Sequence, residues 1–211
     1  MKNLDYSLYF ITDSTGFSEE VFLGRIEGAL KGGVTLVQLR EKNKTTREYL
    51  EIAEKVHALT KQYHVPLIID DRLDVAMAID AEGVHLGQID LPIYIARKIL
   101  GKNKIIGATA KTVEQAKEAY EQGADYLGVG AIYPTTTKVK TIITSVETLN
   151  DICQSVPIPV NAIGGLNQRN LDILKGIPIA GICVVSAIMK ANDPRIASNE
   201  LLGIVQGILK K

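Results

Sequence analysis

The sequence is short of the residues that mark several protein classes. Its 211 residues include two cysteines, Cys153 and Cys183, and three histidines, His57, His64 and His85. These form no CxxC pair and no Cys/His cluster, which excludes the common zinc and dithiol arrangements. Both cysteines read as free thiols in packing. Charge of one sign is lacking too, because 24 Lys and Arg balance 24 Asp and Glu. That leaves no overall basic footprint of the kind nucleic-acid binders carry, so any anion site must be local. No apolar run approaches the roughly 18 residues of a membrane-spanning helix. The N-terminal stretch MKNLDYSLYF lacks the apolar core of a signal peptide. The expectation is a soluble, cytoplasmic protein with no nucleic-acid or membrane partner; homo-oligomer formation is left open.

What the chain does have is a hydrophobic content of 46%, enough for a sizeable core in a single domain over residues 1–211. Short β-rich runs alternate with helix-length amphipathic segments. Strands are expected at Leu8–Thr12, Val34–Leu39, Leu67–Ile69, Gly83–Leu86, Ile105–Ala108, Tyr126–Val129, Pro159–Ile163 and Ala180–Val185. Ser18 precedes the helical spacing of Val21, Phe22, Ile26, Ala29 and Leu30, and Gly32-Gly33 ends it. Thr45 and Glu48 have capping-box spacing ahead of the stripe Tyr49, Ile52, Ala53, Val56 and Leu59. Thr112 and Gln115 repeat that signal before an alanine-rich helix that stops at Gly123. Further helices are expected at Asp74–Ile79, Ile93–Leu100, Ser145–Cys153, Asn170–Leu174 and Ile196–Leu209. Eight strands alternating with eight helices through short links describe an α/β fold of the closed (β/α)8 TIM-barrel kind better than an open sheet.

In such a barrel, residues just past the carboxyl ends of the strands converge on one face and carry the chemistry. The stretch Leu67–Pro92 delivers Asp70 and Asp71 after one strand and Gln88 and Asp90 after the next. Asp71 and Asp90 brought face to face would raise one pKa or invite a cation. Mg²⁺ suits such a pair, because it takes one or two carboxylates and completes its shell with water and phosphate oxygens. The alternative has Asp90 capping the helix that opens near Pro92 and Asp71 bonding loop amides.

Gln38, Arg40 and Lys42 alternate along the end of the second strand, so they can share a face, and Lys138 follows the hydroxyl-rich Pro134-Thr135-Thr136-Thr137. Together the cations make a clamp for phosphate oxygens; singly, each would be an ordinary solvated charge. Gly164-Gly165 after strand seven and Val185-Ser186 after strand eight match the place where many barrels hold a phosphate, with plain turn glycines as the alternative. His57 lies in a helix, His64 just before Pro66, and His85 within the fourth strand pointing into packing. None is assigned chemistry.

The blocks Gln38-Leu39-Arg40-Glu41-Lys42, Gly83-Val84-His85-Leu86-Gly87-Gln88-Ile89-Asp90 and Pro134-Thr135-Thr136-Thr137-Lys138 occur in order with Leu8–Asp13, Ala162–Gly165 and Val184–Ile188. In that combination the chain resembles the thiamin phosphate synthase family over nearly its full length. The resemblance implies an enzyme that joins 4-amino-2-methyl-5-pyrimidinylmethyl pyrophosphate to 5-(2-hydroxyethyl)-4-methylthiazole phosphate with Mg²⁺, giving thiamin phosphate and pyrophosphate. It implies that Gln38, Arg40, Lys42, Asp70, Thr109 and Lys138 hold the pyrimidine pyrophosphate, with Arg40 and Lys138 catalytic. Asp71 and Asp90 would bind the metal, and Thr135, Thr137, Gly165, Val185 and Ser186 would seat the thiazole phosphate. The implied mechanism is dissociative: pyrophosphate leaves, the aminopyrimidine stabilises the methylene cation, and the thiazole nitrogen captures it.

Four features depart from that family's usual pattern. Asp70 stands where the family has Asn, Thr109 where it has Ser, and Asn161 where it has a small or apolar residue. Val139-Lys140-Thr141-Ile142-Ile143 replaces an acidic, small-residue continuation. Asp70 is therefore expected to join the metal shell or to pair with a cation such as Arg72 or Lys138. Two other functions are weighed. A thiazole tautomerase paralogue would tend to lack Arg40 and Lys42 and to use a histidine after strand five, where Gly107–Lys111 has none. A non-catalytic binder of thiamin phosphate would have no use for the pair Asp71 and Asp90.

Overall fold

A computed structural model of the chain describes residues 4–135 and 142–210. Eight parallel strands close into a barrel in sequence order. They are β1 (Leu8–Ile11), β2 (Leu36–Leu39), β3 (Leu67–Asp70), β4 (Gly83–Leu86), β5 (Ile105–Ala110), β6 (Tyr126–Val129), β7 (Val160–Ile163) and β8 (Gly181–Val184). Closure is made by β1 against β8, with Tyr9 opposite Cys183 and Phe10 opposite Val184. The helices are α1 (Glu19–Lys31), α2 (Thr46–Gln62), α3 (Leu73–Ala78), α4 (Ile93–Leu100), α5 (Val113–Glu121), α6 (Val146–Ser155), α7 (Ser186–Met189) and α8 (Pro194–Leu209). Among the described residues no helix is long and apolar enough to cross a membrane.

The strands lie between two apolar layers, which is why they read as nearly continuous hydrophobic runs. Phe10, Val37, Leu39, Ile69, Val84 and Leu127 pack outward with the helices. Their neighbours Tyr9, Ile11, Leu36, Ile68, Tyr126 and Cys183 form a separate cluster filling the barrel. The two clusters therefore follow the alternation of side chains along each strand. A shift of one residue in any strand would exchange them.

Helix signals in the sequence mostly find their partners. Ser18 accepts from Val21 N–H to start α1. Thr45 and Glu48 form the full reciprocal box at α2, with Thr45 N–H donating to Glu48 Oε2 at 2.8 Å. At α5 only half of the expected box forms: Thr112 accepts from Gln115 N–H, while Gln115 Oε1 accepts from Lys111 N–H instead. The helix expected at Asn170–Leu174 is a single 3₁₀ turn, Leu171–Leu174. Its buried residues Leu171 and Leu174 are three apart, the repeat of one 3₁₀ turn, and the segment is too short to propagate an α-helix. Cys183 is buried and Cys153 half-buried, and both are free thiols.

Candidate active site

The carboxyl ends of the strands enclose a cavity of about 450 Å³. Its wall includes Gln38, Arg40, Lys42, Asp70, Asp71, Asp90, Thr109, Thr135, Gly165, Val185 and Ser186. These are the described residues that the sequence singled out for binding, and they come from seven different strand ends. Thr137 and Lys138 lie outside the described residues.

The second strand positions its cations as its alternation requires. Gln38 ends the inward face of β2, and Arg40 and Lys42 continue it past the strand. Arg40 N–H donates to the buried Thr12 Oγ1 at 3.2 Å, which ties the β2 end to the β1 end. Lys42 Nζ lies 2.7 Å from Asp70 Oδ2 and also pairs with Asp71, while Arg40 Nε stands 3.8 Å from Asp70. Burial of Lys42 works against its charge, but the two carboxylates prevail and hold its pKa above the usual lysine value. Asp70 is thus paired with Lys42 and Arg40. The expected partner Arg72 is instead engaged by Asp74, its near neighbour. Since β3 runs through Asp70, this carboxyl faces the barrel interior with Gln38, and Arg72 opens the helix beyond.

Asp71 stands in the left-handed region, with φ at 60°. Its N–H donates to His85 O at 2.9 Å, and Arg72 N–H donates to Asp70 O at 2.7 Å. Those two bonds hold a backbone conformation that an L-residue other than Gly, Asn or Asp rarely takes. The turn carries the Asp71 carboxyl toward that of Asp90, near enough for the charge of one to act on the other. Burial first, and the Asp71 charge with it, push Asp90 above the usual carboxylate range, against the pull of Gly87 N–H. Asp90 does not cap α4, whose N-cap Pro92 has no side-chain bond. It closes its own loop, accepting from Gly87 N–H at 2.6 Å. Two hard carboxyl groups on one cavity wall are a donor set that a divalent magnesium ion satisfies.

On the opposite wall, Gly164 and Gly165 have φ of +105° and +66°. A Cβ on Gly165 would come within 2.6 Å of Tyr133 Cβ and 2.8 Å of Pro134 O. Glycine is required there by conformation and by the close approach of the segment after β6. Gly165 O accepts from Asn170 Nδ2 at 2.9 Å, which fixes the turn. Arg25 of α1 donates from Nε to Met189 O at 2.6 Å and also bonds Ala191 O, anchoring the segment that begins at Val185 and Ser186.

Sequence reasoning missed the cavity floor. His85 does not point into apolar packing: its Nδ1 is 3.1 Å from Tyr126 Oη and its Nε2 3.0 Å from Thr109 Oγ1, and it lines the cavity. Tyr9 Oη lies 2.8 Å from Tyr126 Oη and accepts from Gln38 Nε2 at 2.8 Å. The available signal was glycine at inward positions. A Cβ on Gly107 would collide with the Tyr126 ring, and one on Gly128 would lie 3.3 Å from His85 Cε1. Those two residues leave the room that the long polar side chains fill.

A closed parallel barrel with cations, acids and glycine turns gathered at the carboxyl ends of its strands defines a (β/α)8 barrel of the enzyme type, with a mouth suited to a charged ligand. The family model described as thiamine monophosphate synthase matches residues 8–188. Thiamine-phosphate synthase 2 of Streptococcus pneumoniae is 52% identical over 202 residues, 96% of each chain. Thiamine-phosphate synthase of Methanobrevibacter smithii is 50% identical over the same shares. Among solved structures, thiamine phosphate pyrophosphorylase from Pyrococcus furiosus superposes with a TM-score of 0.88 at 43% identity, covering 97% of this chain and 98% of that one. The chain belongs to the thiamine monophosphate synthase family.

Proposed function

We propose that the protein is a thiamin phosphate synthase, a transferase that couples the pyrimidinylmethyl pyrophosphate to the thiazole phosphate and releases pyrophosphate. The observation that carries this reading is the meeting of Arg40 and Lys42 with Asp70, Asp71 and Asp90 on one cavity wall, facing the Gly165 turn across it. A ligand with one phosphate does not call for both walls; two phosphorylated substrates do.

The chain's own residues do three things in this scheme. Arg40 and Lys42, joined by Lys138, hold the pyrophosphate oxygens and stabilise the charge that grows on them as the C–O bond breaks. Gln38 and Thr109 orient the pyrimidine, and Asp70 holds Lys42 in place. Thr135, Gly165, Val185 and Ser186, with Thr137, keep the thiazole phosphate seated, so that its ring nitrogen lies within reach of the methylene cation. Asp71 and Asp90 would hold Mg²⁺, which when bound supplies positive charge to the leaving pyrophosphate. No general base is needed, because the attacking thiazole nitrogen has no proton to lose. The reading is tested by supplying both substrates with Mg²⁺ and assaying thiamin phosphate. Binding of thiamin phosphate without its formation would favour a binding protein instead.

A further inference from the structure

The cavity floor is a continuous chain of hydrogen bonds that crosses the barrel from β2 to β5. Gln38 Nε2 donates to Tyr9 Oη at 2.8 Å, and Tyr9 Oη meets Tyr126 Oη at 2.8 Å. Tyr126 Oη meets His85 Nδ1 at 3.1 Å, and His85 Nε2 meets Thr109 Oγ1 at 3.0 Å. Both tyrosines are fully buried, and burial first of all holds each phenol far above its usual pKa, so both keep their protons. Each hydroxyl has one proton to give. Since Tyr9 receives from Gln38, it donates to Tyr126; Tyr126 then donates to His85 Nδ1. In the neutral imidazole the N–H then lies at Nε2 and donates to Thr109 Oγ1.

The ends of this chain, Gln38 and Thr109, line the cavity. With the direction fixed as above, Gln38 keeps its carbonyl oxygen as an acceptor and Thr109 keeps a hydroxyl proton to donate. If the Gln38 amide were turned over, every link would reverse and Thr109 would have to give its proton to His85. The amide orientation, the histidine tautomer and the threonine hydroxyl are therefore one variable. An acceptor at Gln38 suits an exocyclic amine, whereas the reversed chain would offer an N–H to an exocyclic oxygen.

We propose that Tyr126, linked to Tyr9 and His85, is a positioning residue that fixes this direction and so makes the site select a 4-aminopyrimidine over its 4-oxo counterpart. Tyr126 acts through Gln38 and Thr109. The inference rests on the substrate reading above and deepens it. Specificity of this kind comes from leaving a buried polar group mismatched by the wrong ligand.

The test uses Tyr126→Phe, which removes the hydroxyl and keeps the ring that packs 5.2 Å from Tyr6 and 5.8 Å from Tyr9. The probes are the 4-amino and 4-oxo forms of 2-methyl-5-pyrimidinylmethyl monophosphate, titrated by calorimetry into the full chain. The parent should favour the amino form, and Y126F should lose about tenfold or more of that preference, the worth of one misdirected hydrogen bond. Affinity for the thiazole phosphate should not move, as a general loss of structure would require. An unchanged preference in Y126F overturns the proposal. If Y126F fails to fold, Tyr9→Phe breaks the chain one link earlier and is judged by the same ratio. A parent that makes thiamin phosphate but binds both probes equally overturns the positioning role alone; a parent that binds neither probe and makes no product overturns the substrate reading with it.

Discussion

Replacing Asp70 with Asn should stabilise the fold at neutral pH and leave it nearly unchanged near about pH 4, where the carboxyl is protonated anyway. Asp70 is 7% exposed. Burial is the main cause that raises its pKa, the Asp71 charge adds to it, and Lys42 and Arg40 pull it down again; the result stands at about 6. An aspartate in the unfolded chain titrates near about 3.9. A carboxyl that holds its proton more tightly folded than unfolded costs the fold nothing below the unfolded value. The cost grows as pH rises between the two values and is complete above the folded one. The separation corresponds to at most about 3 kcal/mol at neutral pH. Lys42, 41% exposed, would lose one of two carboxylate partners at little cost. In a chain of this length about 3 kcal/mol is roughly 6–12 °C in melting temperature. Thermal unfolding of D70N and its parent from about pH 4 to about pH 8 should show a gap that opens with pH and then levels off. A gap that is constant, or that widens toward acid, would refute the reasoning.

Two further outcomes follow from the site. Asp90→Asn should weaken Mn²⁺ binding, measured by calorimetry as a stand-in for Mg²⁺, by about tenfold or more, and should lower product formation with it. Parent-like metal affinity would remove Asp90 from the metal site. Gly165→Ala forces a Cβ to within 2.6 Å of Tyr133 Cβ at a φ of +66°. It should raise KM for the thiazole phosphate by about tenfold or more while KM for the pyrimidine pyrophosphate changes little, a split that steady-state kinetics resolves.

Much of the fold was legible because both layers of the barrel are apolar. Runs such as Leu67–Ile69 and Tyr126–Val129 are buried on both faces, as strands of an enclosed parallel sheet are, and their repetition between helix-length segments is what told them apart. The helix after β7 was not legible, since Leu171 and Leu174 fit an α-helix and a 3₁₀ turn equally well. At the mouth, Gln38, Arg40, Lys42, Asp71 and Asp90 could be placed in one cavity because position past a strand end decides which face a side chain joins. Pairings are another matter. Asp70 takes Lys42 and Arg40 from β2, a choice made by the register of β2 against β3, in which Gln38 lies opposite Ile68. The chain through Tyr9, Tyr126 and His85 joins residues 117 and 41 positions apart, and no local pattern reports such contacts.

The most direct measurement is a coupling assay. The two phosphorylated substrates are mixed with the full chain and Mg²⁺, and thiamin phosphate and pyrophosphate are quantified together. The account predicts that both appear in equal amounts and that neither forms when either substrate is omitted. Tight binding of thiamin phosphate with no product from its precursors, or isomerisation of a thiazole carboxylate phosphate without pyrophosphate release, would contradict it.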